Sequence, residues 1–186
     1  MLRTLATTAL ALTLSTGIAS AAAHGNPTVG GAEMSAEMNI IENAVNSPIH
    51  TTLVAAVQAA GLVETLQGEG PFTVFAPTDD AFAKLPEGTV ETLVMPENKD
   101  TLTTILTCHV VGAEAMSDAI AGMIADDSGA HMVETLGGCM LTAEMDGENI
   151  TLTDEQGNVA TVTIADVKQS NGVIHVIDTV MLPAAM

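Results

Sequence analysis

Five kinds of side chain in this 186-residue sequence could carry chemistry: carboxylates, imidazoles, thiols, thioethers and hydroxyls. The adjacent Asp79 and Asp80 could act as a paired acid–base site. They follow Pro77 and Thr78 at what reads as a helix start, where Thr78 caps the helix and acids suit the positive end of its dipole. That gives them a structural role. His109 and His175 sit in apolar stretches. They could bind metal or switch with pH, but a lone histidine on an apolar strand is more commonly a hydrogen-bonded core residue. Both are expected to support the fold, and Asp178 to tie down a turn. Ten methionines follow residue 23. Met34 and Met38 are expected on one helix face, and Met132 adjoins His131, so copper(I) binding is one reading. Gap filling in a core with only three Phe and no Trp or Tyr is the other. Asp126, Asp127 and Ser128 lack the spacing of a calcium loop. No G-x-S-x-G surrounds a serine, and no glycine loop is built to cradle phosphate. The sequence calls for no catalytic residue, no metal and no cofactor.

The elements that must position these groups change character along the chain. Residues 24–36 read as a flexible N-terminal segment and 37–186 as one folded domain, the length sufficing for a single core. A helix is expected from about Glu33 to Val45, with Met34, Met38, Ile41 and Val45 as its apolar stripe. A second runs from about Thr51 to Ala60 and stops at Gly61. After a β-prone stretch, Phe72 to Ala76, short helices follow near Thr78, Thr89 to Val94 and Glu97 to Leu106. From about Thr107 the pattern becomes strands: 108–111, 132–136, 140–145, 150–153, 159–167 and 173–180. Asp146-Gly147 and Asn171-Gly172 are turn signals. Helices first and a meandering sheet second make the class α+β.

Residues 1–23 read as a secretory signal: Arg3, an apolar run from Leu5 to Leu14, then a small-residue A-x-A end at Ala21-Ala22-Ala23. No later stretch is long and apolar enough to span a bilayer. The expected location is therefore periplasmic or extracellular. Removing the signal leaves 23 acids against three bases, a formal charge of −20. Such a chain repels nucleic acid and anionic membrane. In an exported protein the single pair Cys108 and Cys139 is expected to form a disulfide. A metal site with His109 and His131 is the alternative, disfavoured because neighbours on a strand point to opposite faces.

Two stretches carry a family resemblance: Thr73 to Phe82, TVFAPTDDAF, and Asn171 to Pro183, NGVIHVIDTVMLP. Their order and their separation of about ninety residues resemble the signature segments of the fasciclin family, over about Ile40 to Pro183. The resemblance implies a fasciclin-like wedge, an antiparallel β-sandwich with several packed helices. It makes Thr73, Phe75, Pro77, Thr78, Asp79, Phe82, His109, Gly172, His175, Asp178 and Pro183 structural motif positions. The family's Tyr-His pair becomes Cys108-His109 here. The resemblance also implies a binding module in cell-surface or matrix association, with a protein or polysaccharide partner and without catalysis. A periplasmic metal-handling or stress-related protein using Met and His is the second hypothesis, a hydrolase the third. Animal matrix members place an Asp followed by an aliphatic residue just before the second segment. The matching Asp166 and Val167, with Lys168, form the candidate recognition surface. In a strand Asp166 and Lys168 share one face and Val167 takes the other, so that a buried Val167 would present the two charges together; an ordinary edge strand guarded by charges against sheet-to-sheet pairing is the alternative.

Overall fold

The computed structural model describes residues 26–184, so the signal read at residues 1–23 lies outside the described residues. The chain opens with a hairpin of β1 (Thr28–Val29) and β2 (Ala32–Glu33). This corrects the expected flexible segment: Val29 and Met34 are buried in the core, and that burial holds the hairpin down. The first helix is also shorter than its apolar spacing predicts. α1 spans Ile40–Asn46, because Asn39 and Glu42 form a reciprocal capping box that starts it there. Met34 and Met38 precede the helix, one buried and one exposed, so they share no helix face.

The helical half continues with α2 (Thr51–Ala60), closed by Gly61 in the left-handed conformation, and α3 (Val63–Leu66). Strand β3 (Phe72–Pro77) leads into α4 (Asp79–Ala83), which Thr78 caps through its hydroxyl on the Ala81 N–H. α5 (Thr89–Leu93), a 3-10 turn at Pro96–Asn98 and α6 (Lys99–Thr107) follow. Cys108 is the helical C-cap of α6 and β4 is Val110–Val111, so the first half of the strand expected at 108–111 is the turn that ends the helix. A helix that the sequence reading did not anticipate, α7 (Ser117–Asp126), then precedes β5 (Ala130–Glu134), β6 (Met140–Asp146), β7 (Asn149–Thr153), β8 (Val159–Gln169) and β9 (Gly172–Ile177).

Seven strands form one sheet in the order β4-β3-β9-β8-β7-β6-β5. Every neighbouring pair is antiparallel except β3 and β9, which run parallel from Phe72 opposite Gly172 to Pro77 opposite Ile177. The two signature segments therefore lie side by side at the middle of the fold. Gly172 is required there: with φ near +156°, a Cβ on it would lie 2.0 Å from the Phe72 carbonyl oxygen. Asn171 locks the junction. Its side chain donates to the Leu66 and Gly68 carbonyls and accepts the Ile40 N–H.

Two cores flank these strands. On one face Val74, Ala76, Ile174 and Val176 pack against α1, α2 and α6 through Ile40, Leu53, Val57, Leu102 and Ile105. On the other, Phe75 and Ile177 join Leu141, Leu152, Ala160, Val162 and Met181 under Ile120 and Ile124 of α7. All six residues of β9 are buried because both of its faces are covered, which is why its sequence is an unbroken apolar run around one histidine.

Candidate functional site

Of the polar groups that the sequence marks for chemistry, Asp79, Asp178, His109 and His175 are placed by bonds to the backbone. Asp79 accepts the N–H groups of Thr51 and Thr52 and the Thr51 hydroxyl, so it caps α2 from across the fold. Burial pulls its carboxyl upward, but those bonds outweigh it and hold the group below its ordinary value. Asp178 accepts the Thr161 N–H and pairs with Lys84, joining the end of β9 to β8 and to α4. Partial burial again opposes, and the Thr161, Lys84 and Thr179 donors win, lowering its pKa. Pro183 lies just beyond, in a tail tied down through its carbonyl to the Gln156 side chain.

His109 is buried. Its Nδ1 faces the Ile105 carbonyl at 2.8 Å, and its Nε2 accepts the Met181 N–H at 3.0 Å, which makes it the neutral Nδ1–H tautomer. Burial pushes its pKa down to about 4, against smaller raising effects of the Ile105 carbonyl and the Asp154 charge. His175 is the mirror case: Nε2 donates to Ala115 at 2.8 Å, Nδ1 accepts the Asp166 N–H, and the ring stacks on Phe75 with centroids 5.8 Å apart. Burial lowers its pKa as well.

Of the candidate recognition residues, Val167 and Lys168 lie as strand alternation has them and Asp166 does not. Val167 is fully buried. β8 carries register irregularities between Val162 and Ile164 and between Ile164 and Val167, and Asp166 sits there with φ near +60°. The bulge turns the Asp166 carboxylate inward onto the Ser117 N–H at 2.7 Å and the Ser117 hydroxyl. It supplies the N-terminal cap of α7 that Met116, the residue at the cap position, does not. Lys168 stays exposed, and its backbone N–H and carbonyl are both taken by the Asn26 side chain. The two charges are therefore not displayed as a pair. Asp166→Ala is expected to destabilise the domain by about 1–2 kcal/mol through loss of this cap, and Asp166→Asn by less, as measured by urea unfolding.

Ser117, Asp166 and His175 fall within one locality but do not form a hydrolytic relay. The serine hydroxyl bonds the carboxylate, and both imidazole nitrogens are occupied by backbone groups. Cys108 and Cys139 are bonded to each other with Cα atoms 5.3 Å apart, bringing the end of α6 to the turn before β6. The sequence reading missed Asp154 altogether. This buried carboxylate accepts the N–H groups of Gln156, Asn158 and Leu182 and the Asn158 amide, pinning the C-terminal segment. The available signal was the Asp-x-Gln-x-Asn spacing of residues 154–158.

With that geometry in place, the model of the fasciclin domain matches residues 48–183. The chain belongs to the fasciclin family. It is 47% identical over 176 residues to protein sll1483 of Synechocystis, an alignment covering 87% of this chain and 90% of that one. It is 32% identical over 166 residues to the cell surface glycolipoprotein MPB83 of Mycobacterium bovis, covering 86% and 68%. Among solved structures, it is similar to a FAS1 domain pair from the insect cell adhesion molecule fasciclin I. The TM-score is 0.55 at 22% identity, over 68% of this chain and 42% of that chain, a likeness of fold. The residues that the resemblance marks as motif positions lie on two neighbouring strands and the helix that follows the first: Thr73, Phe75 and Pro77 on β3, Thr78, Asp79 and Phe82 at α4, Gly172 and His175 on β9.

Proposed function

We propose that this chain is an exported binding module that associates with a protein or polysaccharide at a cell surface or in a matrix, and that it performs no catalysis. Membership of the fasciclin family carries the reading, since that family includes a cell adhesion molecule and a cell surface glycolipoprotein. The use of Asp79, His109, Asp166, His175 and Asp178 as fold-internal caps and ties supports the absence of catalysis. The strongly acidic surface directs the module away from nucleic acid and anionic lipid. Lys168, on the exposed side of β8, is the charged residue through which a partner would be recognised, with Asp166 and Val167 holding its strand in place.

Beads coated with the mature protein test this against intact cells and against immobilised matrix polymer. Saturable attachment is expected, weakened several-fold by Lys168→Glu and unchanged by a folded Asp166→Asn variant. Absence of saturable attachment by the folded wild type rejects the function, and full attachment by Lys168→Glu rejects the surface.

A further inference from the structure

The two outer strands of the sheet, β4 and β5, face each other across a seam. One end of that seam is sealed. The Leu136 N–H donates to the Val110 carbonyl at 2.8 Å, the Gly137 N–H to the Thr107 carbonyl at 3.0 Å, and the Cys108–Cys139 bond crosses the same place. The other end is open and leads into a cleft of about 220 Å³ over the second core. Its walls are Val111, Ala113 and Ala115 on the β4 side, Val133 on β5, and Ile120 and Met123 of α7.

The cleft is preformed. The Thr73 hydroxyl donates to the Ala113 carbonyl at 2.6 Å and accepts the Ala115 N–H at 2.8 Å, while His175 holds the Ala115 carbonyl. Asp166 fixes the start of α7 behind it. An apolar cavity of about 150 Å³ is enough to take up benzene, so this one accommodates a ring with a short side chain. Its rim is acidic. Glu134 lines the mouth, as does His131, whose Nδ1 is engaged by Asp127, and none of the lining residues is a lysine or arginine. The exposed Met132 extends the apolar lip outward.

We infer that this seam cleft is a binding site for a small amine, an apolar ring or short chain that enters the cleft while its ammonium group meets Glu134 at the rim. A shape with an apolar body and one cation fits both the lining and the charge, and the net charge of the mature chain concentrates cations near the mouth. An anionic amphiphile of the same shape finds no lysine or arginine in the lining, and the one imidazole there, His131, is already engaged by Asp127.

Three probes of matched size separate the contributions: 2-phenylethylammonium, neutral propylbenzene and anionic 3-phenylpropionate, each titrated into the mature protein by calorimetry or ligand-observed NMR. The cation is expected to bind saturably at one site, at least about tenfold more tightly than the anion at low salt, with the gap narrowing as salt rises. Glu134→Gln, at an exposed position, is expected to bring the cation to the level of the neutral probe. Ala113→Phe and, separately, Ala115→Leu fill the cleft and are expected to abolish binding of all three probes. Folding of each variant is verified by its melting curve. Equal or tighter binding of the anion, undiminished binding by a folded filled variant, or no saturable binding of the cation to the wild type overturns the proposal.

Discussion

Removing the Cys108–Cys139 bond is expected to cost the domain about 3–4 kcal/mol, the chain-entropy value for a closed loop of this length. The two cysteines are 31 residues apart and both are buried. The loop they close contains β4, α7 and β5, which make up both sides of the seam. In the unfolded chain the bond forbids the separation of those segments. In the folded protein it reinforces an edge-to-edge contact made otherwise by the bonds of Leu136 and Gly137 to β4 and α6. A Cys108→Ala, Cys139→Ala double variant avoids leaving a lone buried thiol. Its melting temperature should fall by about 10 °C, as a domain of this size loses roughly 2–4 °C per kcal/mol. Reductant should lower the melting temperature of the wild type similarly and leave the double variant unmoved. Mass spectrometry of the unreduced wild type should show one linked peptide pair. Two free thiols in protein prepared by export, or a double variant as stable as the wild type, would contradict this assignment.

Mild acid should be the second large stress. His109 is neutral in the fold, with a pKa pushed down to about 4, whereas an unfolded histidine titrates near 6.5. Between those values the unfolded chain holds the extra proton, so stability rises with pH through that window and is lost as pH falls through it. The His109 contribution is fully present above about pH 6.5. At pH 5 roughly 2 kcal/mol of it is gone. His50 and His175, whose pKa values are also lowered chiefly by burial, act in the same direction. Asp79 and Asp178, held below their ordinary values, extend the loss to lower pH, because protonating them weakens the α2 cap formed by Asp79 and the tie of Asp178 to Thr161 and Lys84. Unfolding measured at pH 7.5 and pH 5 should show the decrease, and a His109→Leu variant, less stable overall, should show a shallower slope. A His109→Leu slope as steep as that of the wild type would remove His109 as the cause.

The sequence by itself determined the features that depend on neighbours along the chain. Thr78 caps α4, Gly61 ends α2, and the Asp146 and Asn171 turns lie between the strands they were expected to join. It also determined the pairing of the two cysteines and the family, because TVFAPTDDAF and NGVIHVIDTVMLP are long, specific strings. Each of these rests on short-range geometry or on identity, both of which survive in a linear string.

What only the tertiary structure decided is where distant segments meet. The parallel pairing of β3 with β9 joins residues 100 positions apart, as in Phe72 with Gly172, and no local periodicity encodes which strand lies beside which. Asp79 caps a helix other than its own because α2 and α4 are packed together by the core between them. Asp166 was assigned to the exposed face by strict strand alternation. A bulge adds an unpaired residue and breaks that count, so the carboxylate meets Ser117, 49 residues away. The seam cleft is the plainest case. Its walls come from β3, β4, α7 and β5, and an apolar cavity bounded by four separate segments exists only after the sheet has curled to bring its two edges face to face.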